Sequence, residues 1–158
     1  MSDLEIRAAA PEDIAAIVAM LADDALGARR ESPDDLTPYT AAYERLAADP
    51  NQHLVVAVRV GTDTAAGAEK VVGTLQLTIV PGLSRRGSTR SIIEGVRIHA
   101  DERGSGLGTR LIEWAIDESR RQNCQLVQLT TDATRTDAHR FYERLGFEPS
   151  HVGFKMSI

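Results

Sequence analysis

The sequence predicts a single α/β domain built on a central sheet of mixed strand direction. Three observations lead there. The chain of 158 residues suits one domain with its own core. Segments alternating apolar and polar residues are interleaved with segments of helical periodicity. A glycine-rich turn then sits between a β-type run and an amphipathic helix.

The elements follow in order. Leu4 to Ala8 reads as a first strand, and Pro11, Glu12 and Asp13 open a helix carrying Ile14, Ile17, Val18 and Leu21 on one face. Proline in a first turn and acids facing the helix dipole support that start, although Ala10 stands where a capping side chain is expected. A helix is expected from Tyr39 to Ala48. Leu54 to Val60 is a nearly unbroken apolar run, as in a strand covered on both faces. Gly61 to Lys70 reads as a loop. From Val72, Leu75, Leu77 and Ile79 alternate with Thr74, Gln76 and Thr78, and Pro81-Gly82 ends that strand. The stretch from Leu83 to Arg90 carries Arg85, Arg86 and Arg90 and reads as a solvated loop.

Ser91 to Ile98 is the next strand, and Leu107 to Arg121 a helix with Leu107, Leu111, Ile112, Ala115 and Ile116 on its apolar face. Leu126 to Thr130 is a strand, Thr136 to Leu145 a helix, and Phe147 to Met156 a closing strand pair. A right-handed crossover makes the strands of Ile98 and Leu126 parallel neighbours.

Composition sets outer limits. Apolar residues make up 42% and charged residues 26%, ordinary usage for a globular protein. A formal charge of −5 argues against a nucleic-acid partner, whose phosphates call for a basic surface. The lone Cys124 has no disulfide partner, and no apolar run approaches the roughly 18 residues needed to span a bilayer. The residues before Leu4 lack a signal-peptide pattern, so a cytoplasmic protein with no membrane partner is expected.

The densest chemical signal is Arg103-Gly104-Ser105-Gly106-Leu107-Gly108-Thr109. Glycines let backbone N–H groups approach a bound anion, and the helix that follows adds its positive N-terminus. A Walker A loop requires a lysine after its last glycine, whereas Thr109 follows Gly108. A Rossmann fingerprint requires a third glycine where Thr109 stands, and belongs to a first strand.

What remains is Arg-x-x-Gly-x-Gly at positions 103, 106 and 108, followed about thirty residues later by Ala138-His139-Arg140-Phe141-Tyr142-Glu143-Arg144-Leu145-Gly146-Phe147. With these two motifs in this order, the chain resembles the GNAT superfamily of N-acetyltransferases over nearly its full length. The resemblance implies the GNAT fold over residues 1–158: a mixed sheet of six to seven strands flanked by about four helices, whose splayed parallel strand pair binds coenzyme A. It implies acetyl-CoA as acyl donor, no metal, and transfer to a primary amine of a small molecule or protein by direct attack through a tetrahedral intermediate. It also admits a homodimer.

By the same resemblance, Val96, Arg97 and Ile98 line the pantetheine, and Arg103, Gly104, Ser105, Gly106, Leu107, Gly108 and Thr109 hold the pyrophosphate. Arg135 stands where the family often has an asparagine that contacts pantetheine. Glu94, expected on the same strand face as Val96 and Ile98, is the candidate general base; the competing reading is a solvated strand face. His99 is a second candidate base. Tyr142 is the candidate acid at the departing thiolate; the competing reading is a half-buried core tyrosine. Arg85, Arg86 and Arg97 offer charge for a substrate carboxylate or phosphate, with solvation as the alternative. A sensor that binds acyl-CoA without turnover is the rival function, and a nucleotide-binding regulator is weakened by the missing lysine.

Overall fold

A computed structural model describes residues 3–61 and 67–158. Part of the loop expected over 61–70 lies outside the described residues, and Glu69 and Lys70 already belong to a strand. Five strands, β1 (Asp3–Ala8), β2 (Gln52–Val60), β3 (Glu69–Val80), β4 (Arg90–Ile98) and β5 (Leu126–Leu129), form one sheet in sequential order. The first four pair antiparallel. The starts of β4 and β5 meet at one end, where the Gln125 N–H donates to the Thr89 carbonyl at 2.9 Å and Arg90 Nη1 donates to Gln128 Oε1 at 3.0 Å. Strands that begin at the same end and are joined by a helical crossover run parallel, as expected.

Helices α1 (Ile14–Ala22), α3 (Thr37–Ala48), α5 (Leu107–Arg121) and α6 (Thr136–Arg144) match the four anticipated; α2 (Gly27–Arg30) and α4 (Ser84–Gly87) are single turns. The α4 turn replaces the plain loop expected there. Its Arg85 (φ 53°) and Arg86 (φ 61°) are left-handed, an arrangement closed by Gly87 N–H to Leu83 C=O at 2.9 Å.

The expected six to seven strands reduce to five, because no strand follows α6. Gly146, at φ 97°, turns the chain out of that helix. Val152, Phe154, Met156 and Ile158 alternate as a strand would, yet all four are exposed and no element is assigned after Arg144. An alternating pattern supplies one face of a strand, but the ladder needs a partner backbone as well.

The described chain divides into two compact units, one ending at Gln128 and the other covering Leu129–Ile158. In the first, α1 and α3 pack on one face of the sheet and α5 on the other. Ile17 meets Val56 and Val58, with Leu21, Leu54 and Val71 around them. On the opposite face Leu107, Leu111, Ile112 and Ala115 are buried. A Cβ on Gly73 would lie 2.9 Å from Leu111 Cδ1, so a glycine on β3 lets α5 sit close. Ser91 of β4 and Ser119 of α5, both buried, satisfy each other at 2.7 Å.

The missing cap at Ala10 is supplied from within the first turn. Asp13 Oδ2 accepts from the Ala10 N–H at 2.7 Å, while Arg7 donates to both Asp13 oxygens at 2.8 and 3.2 Å. Burial pushes the Asp13 carboxyl up, but the Arg7 and Ala10 hydrogen bonds outweigh it and hold the group below its ordinary value. A carboxylate with a depressed native pKa stabilises the fold above its unfolded value, about 3.9, and loses that contribution as pH falls through the native value. Asp13→Asn is therefore expected to cost about 1.5–3 kcal/mol in urea unfolding at pH 7. The gap between variant and wild type should close progressively below about pH 3.9.

Candidate active site

The glycine turn joins β4 to α5. After β4, Ala100–Glu102 forms a 3₁₀ turn whose start is capped by His99: its Nδ1 accepts from the Asp101 N–H at 3.2 Å. That bond gives His99 a capping role through Nδ1. Three ion pairs fix the segment. Arg59 grips Glu102 through two bonds, Nε–Oε1 at 2.6 Å and Nη2–Oε2 at 2.8 Å. Lys70 reaches Asp101 at 2.9 Å, and Arg103 reaches Asp23 at 3.0 Å. The Arg59 hydrogen bond holds the Glu102 carboxyl below its ordinary range, with burial acting the other way.

Gly104 (φ 78°) and Gly106 (φ 85°) are both left-handed, a conformation that costs other residues about 1–2 kcal/mol each. Gly106 is the N-cap of α5. Ser105 Oγ donates to the Glu102 carbonyl at 2.6 Å and accepts a long bond, 3.4 Å, from the Leu107 N–H. The Arg110 N–H returns to the Gly106 carbonyl at 3.2 Å. Between them, no acceptor among the described residues takes the N–H groups of Gly108 and Thr109. A Cβ built on Gly104 or Gly106 meets nothing within 4 Å, so the space over the turn is open. Open amides at the head of a fifteen-residue helix, beside glycines in left-handed geometry, form an anion nest that fits a pyrophosphate.

The strand before the turn departs from simple alternation. Its register runs Thr74 to Arg97 and then Gln76 to Glu94, so Gly95 and Val96 together oppose Leu75. Gly95 has φ 61°, which makes this a β-bulge with a left-handed glycine. One extra residue reverses the facing of everything beyond it. Glu94 consequently shares the α1 and α3 face with Arg97 instead of Val96 and Ile98, correcting the placement expected from the sequence. Arg97 lies near Asp24, just past α1, at 3.6 Å, and Nη1 donates to the Val96 carbonyl at 2.8 Å. A bulge leaves a step of the backbone outside the ladder, next to the carboxylate.

Glu94 is exposed and stands directly across from Gln76. Gln76 is one wall of an open cleft of about 350 Å³, lined also by Ala42, Arg45, Leu46 and Asp49 of α3 and Gln52 of β2. Nothing in the sequence marked this cleft, because its polar residues come from separate elements that only the strand register aligns. Arg85 and Arg86 are exposed on the α4 turn and do not line the cleft.

In the second unit, Arg135 is the N-cap of α6 and its N–H donates to Asp132 C=O at 3.0 Å. Tyr142 is half-buried on that helix. Its ring meets Phe141 edge-on at 5.1 Å and Phe147 edge-on at 5.9 Å, the T-shaped geometry aromatic pairs favour. Phe141 and Tyr142, adjacent on the helix, are thus in direct ring contact. The Phe147 N–H closes on the Tyr142 carbonyl at 3.1 Å, bending the chain back over the helix end.

Open amides at the head of a crossover helix, after a strand bulged beside a carboxylate, mark an α/β protein able to bind an anionic ligand at that turn. Residues 15–147 match the model of the Acetyltransferase (GNAT) family, and the chain belongs to that family; it is an N-acetyltransferase. Among curated relatives, it is 29% identical over 154 residues to an aminoalkylphosphonate N-acetyltransferase of Salmonella typhimurium, covering 98% of this chain and 91% of that protein. It is 29% identical over 156 residues to a glucosamine 6-phosphate N-acetyltransferase of Trypanosoma brucei brucei, covering 99% and 97%. Among solved structures, a Bacillus halodurans C-125 protein described as a transcriptional regulator superposes with a TM-score of 0.89 at 43% identity, covering 99% of this chain and 100% of the other. No helix among the described residues is long and apolar enough to cross a membrane.

Proposed function

We propose that this N-acetyltransferase, acting as one domain over residues 1–158, moves the acetyl group of acetyl-CoA to the primary amine of a small molecule. The observation that carries the reading is the pair of open amides at Gly108 and Thr109 above left-handed Gly104 and Gly106. Arg103, Ser105 and Leu107 complete that turn, which would hold the donor's pyrophosphate, while the backbone of Val96 to Ile98 would run beside its pantetheine arm. Acetyl-CoA supplies an activated thioester. Arg135, at the head of α6, replaces the asparagine common in the family as a donor toward that arm.

The residues then divide the work. An alkylammonium has a pKa near 10.4, so removing its proton at pH 7 costs roughly 4–5 kcal/mol. Glu94 accepts that proton, directly or through a water. The backbone at the Gly95–Val96 bulge donates an N–H to the oxygen that gains charge as the amine attacks. The Tyr142 hydroxyl hydrogen-bonds the departing sulfur, its ring held by Phe141 and Phe147. The curated relatives' names give acceptors that pair an amine with a phosphorus oxyanion, which supports a small anionic amine here.

Thiol release from acetyl-CoA, followed with a panel of amines, tests this reading; binding without thiol release on any amine would defeat it. Within that assay Tyr142→Phe is expected to lower kcat about 10- to 100-fold, the worth of one hydrogen bond to a developing charge. Unchanged turnover would remove the tyrosine from the chemistry.

A further inference from the structure

From the cleft beside Glu94 we infer a dedicated oxyanion subsite in which Arg45 and Gln52 hold the phosphonate, phosphate or carboxylate tail of the acceptor amine. The inference rests on the acetyl-transfer reading above and names the acceptor's second recognition group. Arg45 lines the cleft from α3, where Asp49 would be its natural i, i+4 partner. Asp49 is instead turned to the chain that follows it, accepting the Asn51 N–H at 2.9 Å. Arg45 is exposed, and among the described residues no carboxylate pairs with it, a state it shares with Arg29, Arg30, Arg85, Arg86, Arg90, Arg110 and Arg144; what sets it apart is its place in the cleft wall.

Gln52 supplies the matching neutral donor. Its Oε1 accepts from Gln76 Nε2 at 2.9 Å and from Thr78 Oγ1 at 2.8 Å, which fixes the orientation of the amide. With the oxygen doubly used, the Gln52 –NH2 group is turned out of that network, and no acceptor among the described residues takes it. A planar guanidinium together with a held amide N–H suits an oxyanion, whose oxygens accept from both.

The register supplies the spacing. Leu54, Gln76 and Glu94 form one row across β2, β3 and β4. Gln52 lies in the next row, with Thr78 and Ile92, so with strands about 4.8 Å apart and about 3.3 Å per residue its backbone stands roughly 12 Å from that of Glu94. A short zwitterion therefore sets its anion against Arg45 and Gln52 and its ammonium against Glu94. The opposite charges at the two ends fix which end of the acceptor faces the thioester.

The test compares wild type with Arg45→Gln on 2-aminoethylphosphonate, β-alanine and propylamine, with acetyl-CoA as donor. Wild type should favour 2-aminoethylphosphonate over propylamine. In the variant kcat/KM for both anionic amines should fall about 10- to 100-fold through KM, with kcat held and propylamine unchanged. A preference that survives the substitution, or a wild type that favours propylamine, overturns the subsite while leaving acetyl transfer standing. Calorimetry of 2-aminoethylphosphonate on coenzyme A-saturated protein separates the two readings. If thiol release fails with every amine, binding by wild type that Arg45→Gln abolishes upholds the subsite without the reaction, and equal or absent binding refutes it.

Discussion

Glu94→Gln is expected to lower kcat about 10²- to 10⁴-fold while leaving the Kd for acetyl-CoA unchanged. The substitution keeps size and hydrogen-bonding capacity but removes the negative charge that receives the acceptor's proton. Turnover in the variant should depend on the small unprotonated fraction of amine, so kcat/KM should rise tenfold per pH unit up to the amine's own pKa, about 10.4. Wild type should run well below that limit. Equal rates, or parallel pH profiles, would leave Glu94 as a solvated strand residue and move the base elsewhere. The register makes the expectation specific: it puts Glu94 on the face where α3 and the cleft lie, the side proposed above for the acceptor.

How much of this was legible beforehand follows from the range of the interactions. The strand of Leu75, Leu77 and Ile79 and the helix of Leu107, Leu111 and Ala115 were readable because one buried face imposes its period directly on the residues. The nest was readable because left-handed backbone selects glycine at Gly104 and Gly106. Gly95 stood in plain sight too, yet a glycine inside a strand indicates a bulge only once its partner strand is known, and alternation misplaced Glu94 by one residue. The ion pairs Arg59–Glu102 and Arg103–Asp23 join positions 43 and 80 residues apart, which no local pattern announces. The same holds for the cleft of Arg45, Gln52 and Gln76. The closing strands failed for the converse reason: the alternation of Val152, Phe154, Met156 and Ile158 was real, but the partner backbone it implied is not assigned.

Replacing Gly104 and Gly106 together by alanine should weaken acetyl-CoA binding roughly 30- to 1,000-fold, the equivalent of two left-handed alanines at about 1–2 kcal/mol each. Nothing lies within 4 Å of the point where either new Cβ would stand, so the penalty comes from the backbone torsions and from a ligand that must share that space, with no clash inside the protein. The anchors around the turn make relaxation difficult: Glu102 is clamped by Arg59, Asp101 by Lys70, and Leu107 is buried at the start of α5. Strain held equally in the free and bound protein would lower stability alone, so the loss of affinity measures the swing of the amides off target that relieves the strain in the free protein and that binding must reverse. Calorimetry with coenzyme A and with its dephosphorylated pantetheine fragment distinguishes these effects from general damage. The variant should lose affinity for the diphosphate-bearing molecule and keep whatever weak affinity wild type has for the fragment. Undiminished coenzyme A binding would show that the pyrophosphate rests elsewhere, and the amides of Gly108 and Thr109 would need another ligand.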